Sequence, residues 1–557
     1  MKIKWILCFV SLFFVHTVFA QTLPVGLLKN IDDNFRRQQL LGNDTSNSSF
    51  MIRPIFINKI NMNLSDDPDA KNLQDWNKLL WQNARGNGEL RLLPIVWQQQ
   101  YTTHHPYSMN DGAMIPSKGY ETLFSAGVYA KLGPLSIQLR PEFVFAENAN
   151  YVLMSQINNG AAFFKEYRGY IGSIDQPERF GNGHYQKLNW GQSSIRLNFG
   201  PASIGLSNEN LWWGPGIRSS LLMSNNADGF KHLTLNTTRP VKTPIGSFET
   251  QIIAGRLEAS GIQPAKSLNL PNKSSDWRYL SAIVFVYQPK WVPNLFLGFD
   301  RSFTIYRKQM GNGFFDYFPI FSAVAKRNYP YSFDTNTTTE DDVPRDQRLS
   351  LFARWVMPES KSEIYVQYGK NDHNYDLRDV ISEPEHSRAY VAGFRKLVPL
   401  TNPDTYIQVG LEVTQLEAAG TKNIRGAAYF YNNRQVQGYT NNGQVMGAAI
   451  GSGSDMQSLD VSWVNGLKRI GLQFERIVQN NGLMYRSVND TRRHWIDLGV
   501  TGKLDWDYKG FILNGELAYI RSLNYQYRFE NQQAFYWDWD KQDVNNLQLK
   551  VGLLYRW

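Results

Sequence analysis

The chain of 557 residues is nearly free of thiols: its one cysteine is Cys8. That position lies within the first twenty residues, so disulfides and cysteine-based catalysis are excluded from everything downstream. Charge is sparse as well, at 19% Asp, Glu, Lys and Arg. After the opening segment no apolar run approaches the roughly 20 residues that a membrane-crossing helix needs. Histidines are scattered, and the adjacent pair His104 and His105 cannot easily point at one metal. There is no phosphate-cradling glycine loop with a following lysine, and no nucleophile elbow. Glu383, Glu385 and His386 share a loop with Asp372, Asp376 and Asp379. They lack ordered ligand spacing, so they read as a solvated acidic loop rather than a calcium site. Paired carboxylates for glycoside hydrolysis could be drawn from the loop acids, but nothing selects two of them. The expectation is a protein that is not an enzyme, with no cofactor, no metal and no nucleic-acid partner.

What is abundant is aromatic: 14% of the chain, with 29 Tyr and 16 Trp. Low charge with many aromatics is the mixture that outward apolar positions and aromatic girdles produce in a membrane barrel. The first twenty residues carry Lys2 and Lys4, an apolar run from Trp5 to Phe14, and the small residues Val18 and Ala20. This is the pattern of a cleavable secretory signal, with Gln21 as the mature start. Losing Lys2 and Lys4 lowers the formal charge from +9 to +7. That excess suits lipopolysaccharide or an acidic glycan, and equally a solvated surface.

The last strand is the most specific signal. Leu547, Leu549, Val551, Leu553, Tyr555 and Trp557 fall on one face, and Gln548, Lys550, Gly552, Leu554 and Arg556 on the other. Period-two alternation closed by a terminal aromatic is what a strand between lipid and a lumen requires. Leu549, Val551, Leu553, Tyr555 and Trp557 then form the signal read by barrel-assembly machinery. Compact turns alternate with long connections along the rest of the chain. The turns fall at Gly133-Pro134, Gly200-Pro201, 240–246, 289–294, 358–361, 399–404, Asn465-Gly466 and 505–510. Counting back gives about seventeen strands, and a periplasmic N-terminus demands one more, supplied by 89–101. The fold class is therefore all-β: a single transmembrane antiparallel β-barrel of about 18 strands. Its long outer connections are 102–119, 147–191, 209–229, 257–277, 308–347, 370–387, 415–456, 479–494 and 522–546.

Ahead of the barrel the period changes. Leu28, Ile31 and Phe35 recur at helical spacing between Pro24 and Gly42, and Leu73, Trp76, Leu80 and Ala84 do so over 69–85. The expected organisation is a signal over 1–20, a small N-terminal periplasmic helical segment over 21–88, packed as a bundle or plug, and an outer-membrane barrel over 89–557.

Several loop blocks are unusual enough to carry a resemblance. They are His105-Pro106-Tyr107, the run 110–119, the run 175–181, Glu209-Asn210-Leu211-Trp212-Trp213-Gly214-Pro215-Gly216, the run 383–390, and Gly438-Tyr439-Thr440 followed by Gly443-Gln444-Val445. These segments resemble the Wzi-type capsule assembly family over most of the chain after about residue 40. Asn441-Asn442 stands where a basic residue is common in that pattern, and Gly451-Ser452-Gly453-Ser454 where Gly-Pro-Gly is common. The resemblance implies an outer-membrane, lectin-like barrel that attaches or organises exported capsular polysaccharide, without catalysis.

Sugar rings pack their C–H faces on aromatic planes and pair their hydroxyls with carboxylates and amides. Two clusters have that composition: Glu209 with Trp212 and Trp213, and Trp537, Asp538 and Trp539 in the last outer loop. Tyr439 joins them as a carbohydrate-binding candidate. Tryptophans at strand ends also serve as interfacial girdle residues, and the Gly-Pro-Gly block can simply shape a loop. The rival from another class is a diffusion porin, since about eighteen strands enclose a water-filled channel unless something fills it.

Overall fold

In the computed structural model the described residues are 21–557 apart from 28, 45, 57–75, 330, 333–336, 339–342, 372–373, 403, 419–428, 488–490 and 529–541. Residues 1–20, which carry the expected signal, lie outside them, as do Leu28, Leu73 and the Trp537, Asp538, Trp539 cluster.

Alternation of apolar and polar side chains builds one antiparallel sheet of 24 strand segments. Five strands of this wall are each interrupted once: Gly88–Leu92 with Ile95–Thr102, Gly119–Ser125 with Val128–Leu132, Leu135–Leu139 with Glu142–Ala146, Tyr185–Asn189 with Ser194–Phe199, and Lys231–Thr237 with Val241–Thr243. Joining these pairs and setting aside the flanking segment Lys78–Gln82 leaves eighteen strands among the described residues. The sheet closes on itself: Val544–Tyr555 pairs with Ile95–Thr102, with Leu549 opposite Tyr101 and Tyr555 opposite Ile95. Closure removes the exposed edges that would otherwise be intolerable in hydrocarbon.

The expected turns are the observed ones. Asn465 and Gly466 link Asp455–Asn465 to Lys468–Val478, and Gly466 has the positive φ of 53° that a tight hairpin turn requires. On the last strand Leu547 and Leu549 are about half exposed, while Gln548, Leu554 and Arg556 are buried. The outward row faces lipid.

Two findings depart from the sequence expectation. The helix expected over 69–85 is a strand where it is described: Lys78–Gln82 pairs with Gly88–Leu92, with a register shift between Leu79 and Trp81. That irregularity sets consecutive apolar residues, Leu79, Leu80 and Trp81, all half exposed on the wall. A bulged lipid-facing strand thus imitates helical spacing. The first helix is present as Lys29–Leu40, but it lies inside the barrel. Nine of its twelve residues are buried, charged ones included.

Candidate functional site

Inside the barrel, a helix is held by side chains of the wall. Helix Lys29–Leu40 supplies Asp33, whose carboxylate takes Arg37 at 2.9 Å, Arg469 at 3.4 Å and Arg395. One turn on, Arg36 meets Glu363 at 2.9 Å, and Glu363 also takes Arg354 at 2.6 Å. Arg395, Arg469, Arg354 and Glu363 all rise from the inner face of the wall. Isolated buried charges cost several kcal/mol each, so the pairing is what makes this helix admissible in the pore. Its apolar residues Ile31 and Phe35 pack with Leu467, Ile512 and Leu554 of the wall.

The most distinctive sequence block sits against this plug. Trp212–Trp213 forms a short antiparallel pair with Ile52–Arg53. The Arg53 guanidinium lies 4.6 Å from the Trp212 ring centroid, and Trp213 Nε1 donates to Gln251 Oε1 at 3.0 Å. Pro215 then offers its carbonyl to Arg36 at 2.5 Å. Gly216 is obligatory, because a Cβ there would come within 1.8 Å of the Ser219 carbonyl oxygen. Beyond it the backbone N–H groups of Ile217, Arg218 and Ser219 all donate to the Glu412 carboxylate, at 2.7 to 3.1 Å. Glu209 is wholly buried and accepts from Arg196 at 2.7 Å, from Ser207 at 2.8 Å and from Thr22. Burial pushes its carboxyl up, but the Arg196 guanidinium and these donors hold it below the ordinary value.

Tyr439 is likewise enclosed. Its ring carries the Arg348 guanidinium at 4.5 Å and stacks at 6.4 Å on Tyr431. The four described candidates thus all belong to the interior, with Trp212 at 4% exposure and Glu209, Trp213 and Tyr439 at 0%. An arginine already lies on the rings of Trp212 and Tyr439, and Trp213 is packed within the core. Trp213 and Tyr439 belong to one buried apolar cluster, while Glu209 is held apart by Arg196, Ser207 and Thr22. The departures at 441 and 442 also have an interior role, since Asn441 and Asn442 both donate to Asp228 at 2.7 to 3.0 Å.

Above this packing the outer loops build a cap that sequence reading passed over. Helix Ala161–Ile171 packs on helix Asn481–Ser487 through Phe163, Tyr167, Ile171, Leu483, Met484 and Tyr527. Tyr170 meets Tyr429 edge-on at 5.2 Å, and Arg486 lies 4.6 Å over Tyr429. Arg434 reaches toward Gly169, and Arg168 donates to the Asn269 carbonyl at 2.8 Å. Tyr485 stands 49% exposed beside them. The spacing of Phe163, Tyr167 and Ile171, four residues apart within the connection 147–191, was the available signal. Among the described residues no cluster suited to a metal ion occurs.

The capsule assembly protein Wzi family matches residues 97–536. The chain belongs to that family. Membership places it among outer-membrane β-barrels and agrees with the closed wall. A solved structure described as Wzi, an outer-membrane protein involved in group 1 capsule assembly in Escherichia coli and a carbohydrate-binding β-barrel, is 12% identical, with 97% of this chain and 100% of that chain covered at a TM-score of 0.57. OccAB2 of Acinetobacter baumannii is 7% identical over 83% of this chain and 97% of its own, at a TM-score of 0.40. OccAB3 of the same organism is 9% identical over 85% and 100%, also at 0.40. No curated protein matches the chain.

Proposed function

We propose that this protein holds exported capsular polysaccharide at the cell surface, by binding and without catalysis. The observation that carries the reading is family membership over residues 97–536. Among the described residues the plug helix and its ion pairs occupy part of the lumen, which supports the reading against an open diffusion channel. Beside the plug lie a cavity of about 670 Å³, lined by Ser48, Ile52, Phe56, Arg196, Asn236 and Gln251, and one of about 90 Å³, lined by Lys29, Asp32, Arg36, Trp212 and Arg218. The smaller has room for roughly three waters.

With the interior occupied, the glycan surface in this reading is the outward face of the cap. Arg168, Arg434 and Arg486 supply guanidinium forks for carboxylates or hydroxyls, and Tyr485 supplies an exposed ring. Trp537, Asp538 and Trp539 are the second stacking candidates. Glu209, Trp212, Trp213 and Tyr439 act beneath, by fixing the plug and the loops on which the cap rests. Each cap contact is weak, but a polymer spans many copies and multiplies it. The reading also takes the outward row of Leu549, Val551, Leu553, Tyr555 and Trp557 as the segment recognised by barrel-assembly machinery, with lipid and lipopolysaccharide around the belt.

The test is capsule retention. Gene deletion is expected to release capsule into the medium, and Arg434→Glu with Arg486→Glu to release a severalfold excess over wild type at normal abundance of inserted barrel. A deletion strain that keeps its capsule overturns the function. A double variant that keeps its capsule while the deletion strain sheds it removes the cap from the proposal.

A further inference from the structure

On one side of the wall, near its outer rim, outward positions that alternation would leave exposed are buried. On strand Leu295–Tyr306 the even positions Phe296, Asp300 and Ser302 point into the lumen, so Leu297, Phe299, Arg301, Phe303 and Ile305 point outward. Leu297 is 41% exposed, as a lipid-facing residue should be. Arg301 and Phe303 are only 3% and 2% exposed. The neighbouring strands behave alike: outward Tyr279 and Ser281 on Arg278–Pro289 and Gln347 on Asp346–Met357 are buried. Something covers the outside of the barrel there.

The cover is the loop after Tyr306. Arg301 donates to the carbonyls of Ile320, Ser322 and Ala323 at 2.7 to 3.2 Å, and to Gln347 at 2.8 Å. Tyr279 donates to the Tyr317 carbonyl at 2.8 Å. Two strands further round, outward Lys370 on Ser362–Asn371 is treated the same way. Its Nζ donates to the carbonyls of Glu383, Pro384 and His386, at 2.7 to 3.3 Å. Two cations that would otherwise face hydrocarbon are thus solvated by loop backbone. The two loops are tied together as well: the N–H groups of Lys326 and Arg327 donate to the carbonyls of Asn374 and Tyr375.

The far side of this cover is strongly apolar. Phe314, Phe315 and Phe321 are 53 to 61% exposed, and Leu377 and Ile381, one helical turn apart, are 70 to 72% exposed. Soluble surfaces do not carry such a concentration, whereas aromatic and aliphatic residues at the rim of a membrane span do. Directly below on the same strands lies the lipid-facing belt, with Leu297, Leu351, Ile364 and Val366 exposed. The apolar face continues that belt upward.

We propose that these two loops form a collar folded down the outside of the wall, with Phe314, Phe315, Phe321, Leu377 and Ile381 immersed in the acyl-chain edge of the outer leaflet. The collar anchors one side of the barrel by shallow insertion, the physics of an interfacial amphipathic segment. It also fixes the barrel's tilt, because among the described residues Leu547 and Leu549 on the last strand are left open.

A nitroxide label tests this cleanly, since Cys8 is the chain's only cysteine and lies in the segment read as a cleaved signal. The full barrel carrying Phe315→Cys is reconstituted in phosphatidylcholine vesicles, and collisions with oxygen, enriched among acyl chains, are compared with those of an aqueous nickel chelate. Oxygen is expected to exceed the chelate severalfold at 315, and the order to reverse at Asn158→Cys on the exposed cap. Ile381→Cys provides a second, independently exposed position. Chelate access at 315 and 381 equal to that at 158 overturns the proposal by standing the loops in water. Low access to both reagents, with spin–spin broadening relieved by dilution with unlabelled protein, overturns it in favour of a second copy of this chain on the patch.

Discussion

Along the last strand, Leu547 and Leu549 stand half exposed while Gln548 between them is buried. On the plug helix, Asn30, Ile31, Asp33, Phe35, Arg36 and Arg37 are all buried, whatever their chemistry. The wall obeys the solvent on each side of it: lipid outside selects apolar residues and the lumen selects the rest. The lumen obeys only complementarity, since a buried group there is tolerated once its partner is present. Chemistry therefore reads out position in the wall and partnership in the lumen. Mutations in the two regions should differ accordingly: conservative changes on the wall are cheap, and conservative changes in the lumen are not.

The largest effect should come from the place where both regimes meet. Trp557 Nε1 donates to the Leu93 carbonyl, and Arg556 bridges Asp507 at 2.7 Å beneath the Trp76 ring. Ending the chain at Leu554 removes the outward aromatics, the inward ion pair and the last contact across the closure. No heat-modifiable barrel should reach the outer membrane, and cell-envelope fractionation would report the loss. Wild-type levels of inserted protein from that chain would break the assignment.

Next comes Asp33→Ala, which leaves Arg37, Arg395 and Arg469 crowded without their shared anion. Removing one partner of a buried pair costs about 3–5 kcal/mol. A lower unfolding midpoint should be accompanied by ion current in planar bilayers where the wild type is closed. Leu472→Ala on the lipid face is the paired control, and should leave both unchanged within error. A large steady current from the wild type itself would restore the channel reading. Trp213→Ala is expected to follow at roughly 3 kcal/mol, the cost of a cavity in a packed site. If Trp213 were instead a sugar platform, its loss would lower glycan retention with the unfolding midpoint intact.

The wall was legible because its rule is local. Period-two alternation, the Asn465-Gly466 turn and the demand for an even strand number suffice to find eighteen strands and the closing pair. The lumen was not, because partnership is non-local: nothing near Asp33 in sequence names Arg395 or Arg469 as its neighbours. For the same reason nothing near Trp212 and Trp213 in sequence names Arg53 and Gln251 as the partners of their rings, or Arg196 as that of Glu209. Residues 78–82 misled through a bulge, which breaks alternation and leaves three apolar residues in a row. The cap's guanidinium groups escaped notice because Arg168, Arg434 and Arg486 come from three different loops.

The smallest predicted effect probes a lumenal pair at a loop, where the same logic should hold with a pH signature. Asp111, in the connection after Thr102, takes Lys550 Nζ at 2.7 Å and lies 3.9 Å from Lys29. Burial pushes its carboxyl up, but Lys550 and Lys29 outweigh that and hold it below the ordinary 3.8. A carboxylate with a depressed folded-state pKa contributes stability that is fully present above its unfolded value and is lost as pH falls through the folded one. Asp111→Asn keeps the shape and removes the charge, leaving Lys550 buried with a weaker acceptor, at a cost of about 1–3 kcal/mol near neutrality. The gap between wild type and variant in urea midpoint should therefore be complete at pH 7 and begin to close below pH 3.8. Other lumenal carboxylates titrate in both proteins and cancel in the difference. A gap that stays constant down to pH 3 would mean that Asp111 acts through its hydrogen bonds to Ser108 and Met109 alone, and that charge pairing is not what holds this part of the lumen together.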